Sequence, residues 1–270
     1  NLNNHTITGD ITCQFKTNTL SNIDYRNISM PVSGVTIADV QYNAATQPGG
    51  FSTYGFTGSI TPSAGGFFST YSYNNGSVTG DFNDGWVGAS NTTNPLNHQA
   101  ATTWYIGPGT GSTGASSYSF EVSGSPIVGG SAAATISSAN GANLSYDAGN
   151  AADNNYNWAL VGNPFPSSVD WNLVTRNNIE STMYIFSADG SGYTASNSGG
   201  NSNILPPFQG FWVRTSGSSA SMQFEENDKS TTQRVFQKSI KDESGFRVYI
   251  NSDQTTKYSF CYVKFNSDAS

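Results

Sequence analysis

Apolar residues in this chain come in short alternating runs, interrupted roughly every eight to twelve residues by Gly, Pro, Asn or Ser. Almost nowhere do they recur at the three- and four-residue spacing that gives a helix a buried stripe. A chain patterned this way can bury its side chains only by pleating, one face inward and one outward. The pattern therefore predicts an all-β protein, an antiparallel β-sandwich of jelly-roll kind. Strands are expected over 7–15, 33–40, 66–73, 102–106, 117–122, 157–162, 182–186, 210–214, 221–225, 245–250 and 258–265. The turn formers Asp189-Gly190 predict a hairpin tip. One stretch, 170–178, reads as a short helical turn.

At 270 residues the chain is long enough for a sizeable core, and 13% aromatic residues supply the bulk to fill it. Charged residues make up only 11%, with a net charge of −7. Phosphate-gripping proteins carry a basic excess, so nucleic acid is not an expected partner. No run approaches the roughly 18 apolar residues of a membrane span, so no membrane insertion is expected. A mixed-charge segment begins at Glu225-Glu226-Asn227-Asp228-Lys229 and predicts a connector. It divides the chain into a sandwich module, 1–230, and a remainder, 231–270, whose strands either pack back or open a second, truncated module.

Cys13 and Cys261 lie near opposite ends in strand-like surroundings. They are either two buried thiols or one disulfide, and the disulfide would require an oxidising compartment. His5 and His98 have no Cys, Asp or His at metal-ligand spacing and read as exposed structural residues. Glu121, in an expected strand, has no second carboxylate to pair with it as a glycosidase needs. No enzyme signature emerges, so the chain reads as non-catalytic.

Two features point to binding instead. Asp81-Phe82-Asn83-Asp84-Gly85-Trp86 sets oxygen donors before a turn-permitting glycine, which makes Asp81, Asn83 and Asp84 candidate calcium ligands. A looser candidate runs from Asp147 to Asp153. Trp86, Trp104 and Tyr105 stand at loop edges, where exposed rings could stack on the C–H faces of a sugar.

Four segments resemble a known family when taken together. They are Arg26-Asn27-Ile28-Ser29-Met30-Pro31-Val32-Ser33-Gly34, the central run from Trp158 through Gly162-Asn163-Pro164-Phe165-Pro166-Ser167-Ser168 to Trp171, Pro206-Pro207-Phe208-Gln209-Gly210-Phe211-Trp212-Val213, and the terminal Tyr262-Val263-Lys264-Phe265. They resemble, in order, the landmarks of secreted and cell-surface proteins of the Bacteroidetes exported by type IX secretion. Phe165 stands where that family usually has Tyr, and Pro206-Pro207-Phe208-Gln209 where Pro-Gly-Gln is common.

The resemblance implies an extracellular or cell-surface location and a place within a larger polypeptide. It supplies no catalytic residues. The expected role is a non-catalytic module of an adhesin-like or filament protein, acting on a surface glycan, a protein or copies of itself. The alternative is a carbohydrate-binding module of a polysaccharide-degrading protein. The central landmark itself reads as a folding device, with Gly162-Asn163 free to take positive φ and Phe165 as a core plug.

Overall fold

A computed structural model describes residues 9–17, 24–62, 66–107, 117–140, 142–186, 192–197, 202–232, 244–250 and 259–265. The fold is all-β and sandwich-like, made of several antiparallel sheets with one four-residue α-helix and short 3-10 turns among the described residues. The first sheet joins β1 (Ile11–Lys16) to β6 (Ser119–Gly124) on one side and to β16 (Ser244–Ile250) on the other, with β17 (Ser259–Phe265) beyond it. The second runs in the order β2 (Asp24–Ile28), β5 (Thr102–Ile106), β3 (Thr70–Tyr73), β4 (Trp86–Gly88).

Strands from the next hundred residues build three further sheets. One contains β12 (Tyr193–Ala195), β11 (Tyr184–Phe186), β14 (Gly210–Arg214) and β8 (Trp158–Gly162) in that order. Another pairs β10 (Thr175–Asn177), β15 (Ser221–Gln223) and β7 (Thr135–Ser137). The third is the pair β13 (Ile204–Leu205) and β9 (Val169–Asp170).

Alternation along these strands sets where the interior lies. In β1, Ile11, Cys13 and Phe15 are buried while Thr12 and Gln14 are not, and β6 repeats the pattern with Phe120 and Val122. These residues join Met30, Phe51, Trp104 and Tyr118 in one apolar interior drawn, but for Phe208, from the first half of the chain. A second interior, from residues 127–224, gathers Phe165, Trp171, Phe211, Met222 and Phe224. A smaller cluster of Tyr73, Val78, Ala101, Leu160 and Trp212 lies between them. The protein thus has two lobes and an apolar joint, and β16 and β17 return to the sheet of the first lobe.

Three of the four family-like segments meet at this joint, while the terminal one lies in β17 at the edge of the first sheet. Asn163 is fully buried, and its Nδ2 donates to the carbonyls of Ser167 (2.8 Å), Leu205 (3.1 Å) and Pro206 (3.1 Å) while its Oδ1 accepts from the Phe165 N–H (2.9 Å). Ser29 Oγ donates to the carbonyls of Asn163 and Gln209, and Gln209 Nε2 donates to Gly210 O at 2.6 Å. Phe208, with φ of 61°, leaves its own lobe and enters the first lobe's interior, edge-on to Phe15 at 5.3 Å. Gly162 does not take positive φ, contrary to expectation. It is glycine because a Cβ there would stand 2.0 Å from the Ser29 Cβ. Phe165 is buried in the second interior, as expected.

Other expectations change. Segment 33–40 is not a strand: its end is the helix α1 (Ile37–Val40), started where the Asp39 carboxylate accepts from both the N–H and the hydroxyl of Thr36 at 2.8 Å. Segment 170–178 is not helical. Asp170 Oδ1 holds the Asn172 N–H in a side-chain turn, and 175–177 then pairs with β15. Hairpin tip Asp189-Gly190 and His5 lie outside the described residues.

The disulfide is excluded by strand order. Cys13 and Cys261 are both register partners of Val248, on opposite sides of β16. Two strand spacings put their backbones about 9–10 Å apart, beyond the roughly 7 Å that a disulfide spans. Cys13 is a free, buried thiol.

Candidate functional site

The second sheet turns one face toward the first interior and the other toward the second lobe. Register decides which side chains go where. Asn27 pairs with Thr103, and Thr103 with Tyr71, so these three form a row across β2, β5 and β3 on the outer face. Tyr25, two residues before Asn27, shares that face, as does Trp86, which pairs with Tyr73. Across from them stands the β11–β12 hairpin, which closes with Phe186 opposite Tyr193, their rings edge-to-face at 5.1 Å.

Between sheet and hairpin lies a cleft of about 440 Å³ lined by Tyr25, Asn27, Tyr71, Asn83, Trp86, Thr103, Phe186 and Tyr193. Its volume falls within the range, from about 300 Å³ upward, typical of small-molecule sites. Five aromatic rings, three of them tyrosines, make its walls, and the other side chains are the amides of Asn27 and Asn83 and the Thr103 hydroxyl. None of these eight side chains carries a charge.

The walls are braced from behind. Trp86 packs edge-on against Trp212 at 5.6 Å and against Tyr73 at 5.2 Å. Tyr73 in turn donates its hydroxyl to the Phe82 carbonyl at 3.0 Å. Burial, reinforced by the carboxylates of Asp84 and Asp81, pushes the Tyr73 phenol far above its ordinary range, so it stays a neutral donor. Tyr193 and Tyr25 are the exposed rims, at 52% and 38%.

Asn27 sits at the floor, only 3% exposed. Its Oδ1 accepts from the Thr103 hydroxyl at 2.7 Å, while its Nδ2 is buried with no partner in the protein.

Sequence-predicted residues divide clearly. Trp86 and Asn83 line the cleft together. Tyr105 stands beside it on the same face, 5.2 Å from Tyr25. Trp104 is a correction: it is fully buried, packs on Phe51 at 4.6 Å and donates its indole N–H to Thr102 Oγ1. Neighbours in a strand point to opposite faces, so Trp104 and Tyr105 cannot serve one surface. The alternation rule, applied to that pair, could have chosen between them. Sequence reasoning does not single out Tyr25, Phe186 and Tyr193, because nothing local in the sequence says that β2 and the hairpin face each other.

The calcium-like loop has another use. Asp81 caps the 3-10 turn Phe82–Gly85, its Oδ1 accepting from the N–H (2.8 Å) and Nδ2 (3.0 Å) of Asn83. Asp84 Oδ2 accepts from the hydroxyl (2.7 Å) and N–H (3.0 Å) of Thr79, and these bonds hold its carboxyl below the usual range. Asp147 likewise caps 148–150, accepting from the N–H groups of Gly149 and Asn150. Among the described residues, no three His, Cys, Asp or Glu side chains gather as a metal site.

His98 is also corrected. It is buried at the lobe boundary, its Nε2 hydrogen-bonded to the Ala133 carbonyl at 2.7 Å, and burial lowers its pKa to about 4. Glu121 is exposed on β6, where it accepts a long bond from Gln14 Nε2 (3.4 Å). Among the described residues, no helix is long and apolar enough to cross a membrane. No protein-family model matches this chain, and neither a curated protein nor a solved structure does.

Proposed function

We propose that this chain is a non-catalytic recognition module of an extracellular surface protein, and that it holds a neutral saccharide in the aromatic cleft between its lobes. One observation carries the reading: five rings and three uncharged polar side chains converge there, without a charge. Sugar rings present apolar C–H faces and a rim of hydroxyls, and aromatic walls with a few amides complement both. The same lining offers no carboxylate, imidazole or thiol to move a proton or attack a bond, so binding fits it better than catalysis. Export and surface location are supported by the resemblance of the landmark segments to type IX secreted proteins.

A glycan array probed with the purified chain, with calcium and again with chelator, tests the reading. Specific binding is expected, weakened at least tenfold in Trp86→Ala and Tyr193→Ala and unchanged in Leu173→Ala, an exposed residue outside the cleft. Chelator is expected to change nothing, since Asp81 is engaged in capping the 82–85 turn and Asp84 in accepting from Thr79. A blank array from a folded protein would reject the saccharide and leave a protein-binding or self-assembling module.

A further inference from the structure

The floor of the cleft has a specific chemical deficit. Asn27 has one amide oxygen and one amide nitrogen to satisfy. The oxygen is taken by the Thr103 hydroxyl at 2.7 Å, and the nitrogen is buried with no acceptor in the protein. A buried donor without a partner is costly, and folded proteins rarely keep one without a use. In this orientation the Thr103 hydroxyl occupies the oxygen end of the amide and leaves the nitrogen end unpartnered. What the floor lacks is therefore an acceptor.

Asn83, on the cleft wall, has the opposite balance. Its Nδ2 is bonded to Asp81 Oδ1 at 3.0 Å, which leaves its amide oxygen as the end that faces a ligand's needs. The cleft thus pairs a donor-seeking group with an acceptor-seeking one, amid aromatic rings. An acetamido substituent answers all three. Its carbonyl is a pure acceptor, its N–H a donor, and its methyl an apolar group that packs on rings. It is also uncharged, as the lining is.

Resting on the saccharide reading above, we propose that the cleft selects N-acetylhexosamines, with Asn27 Nδ2 donating to the acetamido carbonyl and Asn83 Oδ1 accepting the acetamido N–H. Asn27 is then the specificity-determining residue and Thr103 its positioning residue. Hydroxyl-only sugars stack on the same rings and can offer a hydroxyl to the floor donor, but they lack the spaced carbonyl, N–H and methyl that answer Asn27, Asn83 and the rings together.

Calorimetric titration of the whole chain tests this, using the methyl β-glycosides of N-acetylglucosamine and N-acetylgalactosamine beside those of glucose and galactose. At least one acetamido sugar is expected to bind about 10- to 100-fold tighter than its parent hexose, the range for one well-placed buried hydrogen bond. Asn27→Ala, shown folded by its near-ultraviolet dichroism, is expected to abolish the preference, so that the acetamido sugar and its parent hexose bind with equal affinity. Where that variant does not fold, Asn27→Ser replaces it, keeping a small polar group that cannot reach the same carbonyl.

Equal affinity for acetamido and parent sugars in the unaltered protein would overturn the inference and leave the saccharide reading standing. It would assign the floor donor to a buried water. An acetamido preference that survives in folded Asn27→Ala or Asn27→Ser would overturn the role of Asn27. Failure of all four glycosides to bind at millimolar concentration would overturn the inference, and a blank glycan array beside it would remove the reading it rests on.

Discussion

Asn163 shows how much one side chain can hold at a chain crossing. Its amide serves four backbone groups from two segments: Phe165 and Ser167 in its own bend, and the Leu205-Pro206 pair. Asn163→Ala would strip that amide from all four groups, and each one left without a partner costs about 1–3 kcal/mol. Urea unfolding is expected to show a loss of about 2–4 kcal/mol. Asn163→Asp is expected to be worse, because it turns a carboxylate toward three carbonyl oxygens. A loss below about 0.5 kcal/mol, the range of an ordinary surface change, would remove the structural role given to this landmark. The neighbouring glycine answers to a contact rather than a dihedral. Gly162→Ala is expected to destabilise strongly through its clash with Ser29, and Ser29→Gly is expected to recover part of that loss in the double variant. The sequence marked Gly162-Asn163 as a folding device but suggested the wrong reason, positive φ. Close approach between residues 29 and 162 is a tertiary fact with no local signature.

Strands were legible where alternation was long enough to read and where the strand buries one face. The segment 210–214 is a strand with the expected bounds, and 102–106 likewise. Missed strands are short or polar. Asp24-Tyr25-Arg26-Asn27-Ile28 has little apolar alternation, and 135–137, 169–170, 175–177 and 204–205 span two or three residues each. Their pairing comes from neighbours distant in sequence, so propensity could not find them. The same limit hid half the cleft, whose wall at Phe186 and Tyr193 is set by how a hairpin sits against β2. Register also decides the cysteines. With β16 between them, Cys13 and Cys261 are expected to remain thiols even after air oxidation of the folded protein. Burial pushes the Cys13 thiol up to about 12, so almost none of it is thiolate at pH 8. Ellman's reagent is expected to leave Cys13 unmodified in the native protein and to count two thiols in denaturant. A count of zero in non-reducing denaturant would overturn the strand order.

At the scale of the whole molecule, two apolar interiors are joined by an aromatic cluster and a few hydrogen bonds, and the aromatic cleft opens along that joint. His98 is one of those bonds: its side chain reaches Ala133 in the second lobe, and its carbonyl accepts from the Gly162 N–H at 2.7 Å. Because burial holds its folded pKa near 4, against 6.5 for the free side chain, the imidazole is neutral in the folded protein at neutral pH. Between those two values the unfolded chain binds more protons than the folded one, so stability falls as pH is lowered. The loss begins near pH 6.5 and levels off near pH 4, reaching about 3 kcal/mol for a shift of this size. Asp84, Asp147 and Glu226, whose carboxyls are held below their usual range, lose their contributions only at lower pH, as they protonate in turn. The two effects therefore occupy different windows. His98→Gln keeps a donor for Ala133 but cannot titrate, and it is expected to flatten stability between pH 6.5 and 4.5 while leaving the acid limb below pH 4 in place. Urea midpoints measured in half-unit steps for both proteins check this. Parallel curves across the upper window would mean that His98 does not stay buried and neutral, and the bond between His98 and Ala133 would then be no part of what holds the lobes around the cleft.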